Sequence, residues 1–496
     1  MEAILMKKNK FVSSVAKKAG ISYEAAYEKM KEVKKNYGIS FRYYDEKNLQ
    51  WANKIRFPRF VKRFQNRIKR RDERLERMGE KLHLSKEEIK EQIGKFREAY
   101  GCSVTVAQYE NLKIYAMSEE EKEHLAALLL RKERLETELK KEIRRIKVQE
   151  KTPVECEEKI KEYKRVLGET MSDVRREALK NIVLEKTPEM QGEELENRIQ
   201  DIEATNYLLH FPPKEYQLFN LNEFEFLKRR KFVNENDGKG YLQKLNEGGE
   251  TEIVDDKYKA YQRLQKYYRR KAMLIDSDDC KEEFVEFCKK RKQIMKKPIS
   301  SSWGRGIEKI NLEEHPDYEK LFYEFREQAD VILIEDVIIQ NRKMAQFNED
   351  SVNTVRVSVY QDGEKVTVYS SLLRTGQKGT LVDNTGAGGL FAAIDIRTGT
   401  IMEDAVDGKG IFYKEHPQSG VPYRGFRIPR WRSLMRLVVK LTKEFPDHKI
   451  MGWDFVYTNH FQWAVVEVNN YPEFAFQAAT KKGAKNRFLK LTQVEK

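Results

Sequence analysis

No apolar run in the sequence approaches the roughly 18 residues that a membrane-spanning helix needs. The first residues, MEAILMKKNK, lack the apolar centre of a secretory signal, which argues against export. Cysteine is scarce: Cys102, Cys156, Cys280 and Cys288 are spread over 496 residues with no C-x-x-C pair. A disulfide framework and a thiolate zinc site are therefore excluded, and a reduced, cytoplasmic protein is the expectation. No G-x-x-x-x-G-K-[ST] occurs, so there is no P-loop. No Ser–His or Cys–His signature of a protein nucleophile is present either, nor any nucleic-acid reading motif. What is abundant is charge. Charged residues make up 35% of the chain and the formal net charge is +15, a balance that favours an anionic partner.

The texture changes along the chain. Residues 1–200 are dense in Lys, Arg and Glu with helical periodicity; beyond about 205, aromatic and β-branched runs alternate with helical ones. Within the first part, residues 21–49 align without a gap on residues 84–112, at an offset of 63. Each copy reads as a Ser-capped helix closed by Gly and followed by a second Ser-started element. Fragments of the theme recur in KTPVECEEKIKEY and KTPEMQGEELENRI. Between the two copies, WANKIRFPRFVKRFQNRIKRR (51–71) carries nine basic residues and no acid, with Phe57, Phe60, Phe64 and Ile68 near helical spacing. Such a helix suits peripheral contact with an anionic membrane or an acidic polymer. It suits equally a helix that packs its apolar stripe on its neighbours.

Near the end, GWDFVYTNHFQWAVVEVNNYPE (452–473) reads as two strands around a short turn. A four-residue loop at 459–462 pairs Thr458 with Trp463, and that register sets Asp454 opposite Glu467. Alternation then puts Asp454, Glu467 and Asn469 on one face and Phe455, Tyr457, Ala464, Val466 and Val468 on the other. Like charges directly opposed repel, so a cation belongs between them. An all-oxygen donor set suits Mg²⁺. Upstream, Lys257 opens a helical run that leads into an apolar strand. Lys297 precedes a loop whose Ser302, Gly304 and Gly306 let backbone amides approach phosphate oxygens. VILIEDVIIQNR is an apolar strand ending in Glu335, and Arg356 and Arg374 lie inside strand-like runs, where each needs an anionic partner.

The order of these parts resembles the ATP-grasp superfamily. More closely, NTVRV, LLRTGQKGTLVDN, GAGG, HPQSG, IPRW, GWD and EVN are similar to the sugar-transfer-associated ATP-grasp family over roughly residues 210–485. The resemblance implies an α+β protein: a C-terminal ATP-grasp domain over 201–496, two α+β lobes gripping ATP, preceded by a charged all-α helical-repeat region over 1–200. It implies that Lys257 and Lys297 hold ATP phosphates, and that Glu335, Asp336 and Ile338 form the hinge that meets adenine and ribose. Asp454, Glu467 and Asn469 match Mg²⁺ ligands, and Arg356 and Arg374 match catalytic arginines beside the transferred phosphate or the substrate carboxylate. Asp383, Asn384, Gly388, Gly389 and His416 fall in motifs that would touch substrate. The activity implied is an ATP-dependent carboxylate–amine (or related nucleophile) ligase working through an acyl phosphate, in cell-surface polysaccharide or sugar-linked biosynthesis. A kinase using the same ATP site is the alternative, as is a polymer- or membrane-binding scaffold with a vestigial ATP lobe. On sequence grounds, Asp454→Asn and Glu467→Gln are both expected to abolish turnover with little loss of folding.

Overall fold

The computed structural model describes residues 22–25, 27, 28, 31, 56–147, 150–299 and 306–494. The chain forms two compact units. One comprises residues 1–131 with 170–174, the other 132–169 with 175–496.

The first unit is helical. Helix α1 (Arg56–Leu82) carries the basic stretch 56–71 and continues past it. Helices α2 (Lys86–Tyr100) and α3 (Val106–Asn111) follow, and then α4 (Glu119–Arg145), whose residues up to Arg131 belong to this unit. The second copy of the internal repeat has the expected design. Ser85 caps α2 by accepting from the Glu88 amide, Glu88 reaches back to the Ser85 amide, and Gly101 closes the helix in the left-handed region. The next element starts at Thr105, not Ser103: Thr105 and Gln108 form a second capping box, because Gln108 sits where its amide oxygen can return to the cap. In the first copy Ser22 accepts from the Ala25 amide at 3.0 Å; most of that copy, and residues 51–55, lie outside the described residues. Leu75, Ile89, Phe96, Tyr109 and Ile114 close the core of the unit. Ser85→Ala removes a reciprocal cap and is expected to cost about 1 kcal/mol locally, read as faster hydrogen exchange at the start of α2.

Helices α5 (Val154–Glu169), α6 (Asp173–Leu184) and α7 (Gly192–Leu209) lead into the α+β part. They are tied there by charge. Asp201 on α7 is buried and receives Arg229 at 2.8 Å and Lys164 at 2.6 Å.

The smaller lobe contains α8 (Lys257–Tyr268), β1 (Ala272–Ile275), α9 (Lys281–Lys289), β2 (Gln293–Pro298), β3 (Glu308–Asn311), α10 (Tyr318–Gln328) and β4 (Ile332–Asp336). Its antiparallel sheet has the order β1-β4-β2-β3. Ile294, Ile332 and Ile334 face a core shared with Phe284, Phe322 and Phe325. The alternate positions, Met295, Lys297, Leu333 and Glu335, face away from it.

The larger lobe is a seven-stranded antiparallel sheet, built from β5 (Val355–Asp362), β6 (Lys365–Thr375), β7 (Leu390–Ala393), β8 (Ala405–Val406), β9 (Phe412–Tyr413), β10 (Ile450–Tyr457) and β11 (Trp463–Asn469). Its order is β11-β10-β5-β6-β7-β8-β9. The amphipathic helix α11 (Trp431–Thr442) covers one face through Trp431, Leu434, Val438 and Leu441. The β10–β11 hairpin departs from the expected register at its tip, where Tyr457, not Thr458, pairs with Trp463. A bulge at Val466 absorbs the extra residue and restores Asp454↔Glu467 and Gly452↔Asn469. Trp463, Val465 and Val468 consequently face the core with Trp453, Phe455 and Tyr457; Ala464 and Val466 do not.

A buried polar knot fixes the base of this hairpin. Asn246 donates to the Ile450 carbonyl and to Asn470 Oδ1, both at 2.8 Å, and lies 2.9 Å from His448 Nε2. Burial holds the His448 imidazole down at about 4, against its hydrogen bond to Asn470 and the charge of Glu250. Its unfolded-state value is about 6.5, so protons bind the unfolded chain preferentially between the two. Its contribution to stability is present above pH 6.5 and declines as pH falls toward 4. Thermal midpoints measured across that range are expected to fall less steeply in His448→Gln.

Candidate active site

One cavity of about 420 Å³ lies between the two sheets, and ten of the residues singled out in the sequence line it. From the small lobe and hinge these are Lys257, Lys297, Glu335, Asp336 and Ile338; from the large lobe they are Arg374, Asp383, Asn384, Asp454 and Glu467.

The small-lobe side is organised by one buried carboxylate. Glu335 is 3% exposed and lies between Arg270, at 3.0 Å, and Lys297, at 2.5 Å. Burial works to raise its pKa, but Arg270 and Lys297 outweigh burial and hold it down at about 2. Glu335 thus holds the Lys297 ammonium beside the cavity that both residues line. The neighbouring Lys296 points to the opposite face and pairs with Glu308 at 2.9 Å, as strand alternation requires. Lys257 is the first residue of α8, whose cap is Asp256, accepting from the Tyr258 and Lys259 amides. Asp336 accepts from the Lys271 amide at 2.7 Å and pairs with Arg291.

On the large-lobe side, adjacent strands set Arg356, Asp454 and Glu467 side by side: Arg356↔Asp454 across β5–β10 and Asp454↔Glu467 across β10–β11. Arg356 grips Asp454 through Nε and Nη2, and Arg374 Nη1 adds a contact at 3.3 Å. Burial would raise the Asp454 pKa, but the two guanidinium groups hold it below the usual carboxylate range. The Arg356 guanidinium is correspondingly held in its charged form, Asp454 overcoming the burial. Asn469 Nδ2 lies 3.4 Å from Asp454 Oδ2. Glu467 is different: among the described residues its carboxylate takes part in no ion pair and no hydrogen bond. Arg374 also binds Asp383 at 2.9 Å and Asn384, while the Thr354 amide pins Asp383 at 2.9 Å.

Other sequence-predicted positions lie elsewhere. Ser302 and Gly304 fall outside the described residues. Gly306 is described but does not line the cavity. Its φ is +73°, and a Cβ there would come within 2.9 Å of Pro298 Cγ, so it serves the turn after β2. Gly388 and Gly389 are not in the lining. His416 is 1% exposed, donates from Nε2 to the Gly376 carbonyl (2.9 Å) and packs on Phe347 and Tyr423, away from the cavity. Sequence reasoning missed Arg270, which joins Glu335 to the β11 carbonyls of Val465 (2.6 Å) and Val466 (3.2 Å). Its only signal is the RRK run before β1, which reads as solvated charge.

The donor chemistry fits a hard divalent cation. The Asp454 and Glu467 carboxylates line the cavity, Asn469 touches Asp454 from beside it, and among the described residues Glu467 makes no ion pair or hydrogen bond. Among the described residues no cluster of three or more His, Cys, Asp and Glu could hold a metal ion.

Two α+β lobes closing on a cavity with lysines on one side and paired acidic strands on the other define an ATP-grasp protein. The profile of the sugar-transfer-associated ATP-grasp family matches residues 237–496, more than half the chain, and the chain belongs to that family. No curated protein matches it. Similar solved structures include D-alanyl-alanine synthetase A from Vibrio cholerae O1 biovar eltor str. N16961, at 11% identity and a TM-score of 0.27, covering 46% of this chain and 65% of that one. D-Alanine–D-alanine ligase from Helicobacter pylori matches at 12% identity and a TM-score of 0.31, covering 49% and 62%. The ATP-grasp ligase PsnB, complexed with minimal precursor, matches at 11% and 0.30, covering 49% and 60%. The chain thus spans less than two thirds of the length of each. Among the described residues no helix is long and apolar enough to cross a membrane.

Proposed function

We propose that the cavity binds Mg²⁺–ATP and that the chain is an ATP-dependent carboxylate–amine ligase acting in cell-surface polysaccharide biosynthesis. The observation that supports this reading is Glu467, without an ion pair or hydrogen bond among the described residues, opposite Asp454 in the same cavity as Lys257 and Lys297. Bound Mg²⁺–ATP would supply the phosphoryl group that activates a substrate carboxylate as an acyl phosphate, which an amine then opens to an amide. Asp454, Glu467 and Asn469 would hold the metal, and Lys257 and Lys297 the phosphates. Glu335, fixed by Arg270, keeps Lys297 oriented, so no reorganisation is needed when charge builds on the phosphate. Arg374, with Asp383 and Asn384, lies where a carboxylate can be positioned. The hydrophobic walls, Met295, Leu333 and Val466 among them, limit the water that could hydrolyse an activated acid.

The test is an ADP-release screen with pairs of sugar acids or amino acids and amines, followed by mass analysis. ADP, phosphate and a new amide are expected. ADP with a stable phosphorylated product would contradict the ligase reading and favour a kinase. In this reading the enzyme works in the cytoplasm. The uninterrupted basic stretch 51–71 supports contact with the inner membrane face or an acidic polymer, checked by salt-sensitive cosedimentation with anionic vesicles.

A further inference from the structure

Outside the ATP cavity, a cluster of unbalanced charge lies where the turn after β7 meets the start of α11. Arg397 on that turn, Arg427 and Arg430 on the approach to the helix, and Arg432 and Arg436 on its first turns line a second basin of about 690 Å³. It shares no lining residue with the first cavity, and no carboxylate lines it. All five arginines are exposed, and among the described residues none has an ion-pair partner. Arg424 nearby shows the ordinary alternative, a pair with Glu403 at 3.1 Å. Asp395, at the foot of the turn, accepts instead from the backbone amides of Arg397 (2.7 Å) and Thr398 (3.1 Å).

The basin is built on a fixed support. Trp431 is 6% exposed and donates from Nε1 to the Ile396 carbonyl at 2.8 Å, bolting helix to turn. Its ring packs on Gly399, where φ is +73° and a Cβ would meet Trp431 Cγ at 2.3 Å. No side chain caps α11, so its dipole adds positive potential at the same place. Arg430 and Trp431 belong to the IPRW motif, which the ATP cavity does not use.

Five clustered guanidinium groups repel one another, and a chain with many acids elsewhere places none among them. Guanidinium presents planar paired donors that match phosphate oxygens, and a diphosphate offers enough of them to engage several arginines together. We propose that this basin binds a phosphate-bearing group, a diphosphate or a phosphomonoester, at a site separate from the nucleotide cavity. The inference does not depend on what the first cavity catalyses.

The test compares the full chain with the triple variant Arg427→Gln/Arg430→Gln/Arg432→Gln, in two arms. One is calorimetric titration with inorganic pyrophosphate; the other is cosedimentation with vesicles containing phosphatidic acid. Exposed side chains are replaced, so the far-ultraviolet spectrum and thermal midpoint should not move. Loss of pyrophosphate affinity by about tenfold or more supports the site with a soluble phosphate as its ligand. An equal loss confined to the vesicle arm supports it with a lipid headgroup. A triple Arg→Lys variant should fall between, having the charge without the paired donors. If the Gln variant equals the parent within about twofold in both arms, or the parent binds neither probe, the proposal is overturned.

Discussion

Glu467→Gln is expected to abolish Mg²⁺-dependent ATP turnover while leaving the fold unchanged, and Asp454→Asn is expected to do both kinds of damage. The two carboxylates face each other across β10–β11 but differ in their surroundings. Glu467 makes no ion pair or hydrogen bond among the described residues and attracts Arg356 only through space, so its neutral isostere removes a metal charge, some repulsion and that weaker attraction. Asp454 is the counter-ion of Arg356, which is largely buried, and also contacts Arg374. Its neutralisation leaves a buried guanidinium uncompensated, at a cost of about 3–5 kcal/mol. The expectation from sequence, that both variants fold equally well, therefore holds only for Glu467. Thermal melts of both variants without metal check it: a lowered midpoint for Asp454→Asn and an unchanged or raised one for Glu467→Gln.

Glu335→Gln should have the second large effect. It leaves Arg270 and Lys297 facing each other without the intervening charge, again about 3–5 kcal/mol, and frees Lys297 from the orientation that points it into the cavity. The pH dependence follows from the depressed pKa. Glu335 falls from 4.5 in the unfolded chain to about 2 in the folded one. Its stabilisation is therefore fully present above about pH 4.5 and is lost as pH drops toward 2. Acid unfolding of the parent should show this loss, and Glu335→Gln should start less stable and decline less between those limits. Equal acid-unfolding curves would show that the Arg270–Glu335–Lys297 triad contributes nothing.

The α+β domain was legible because its strands alternate cleanly and its carboxylates interrupt otherwise apolar runs. Opposing Asp454 to Glu467 needed only a period of two and a short turn. The pairing arises differently, since a tip register one residue off is compensated by the Val466 bulge. Nothing in AVVEV distinguishes a bulged valine from a regular one; the deciding force is the closure of Trp463 and Val465 on the core. Arg270 was illegible for a related reason: its role depends on a strand, β11, nearly two hundred residues away. His416 sits in a conspicuous motif, yet its ring is spent on the Gly376 carbonyl. The arginines of RIPRWR meet Arg397 only because Trp431 ties their helix to the Arg397 turn, which the motif by itself does not reveal.

The most direct measurement is a crystal structure of the full chain with Mg²⁺ and ADP. The account predicts a metal held by Asp454, Glu467 and Asn469, with Lys257 and Lys297 against the phosphates and the base along Asp336–Ile338. Nucleotide bound elsewhere, or bound here with the metal away from Glu467, would contradict it.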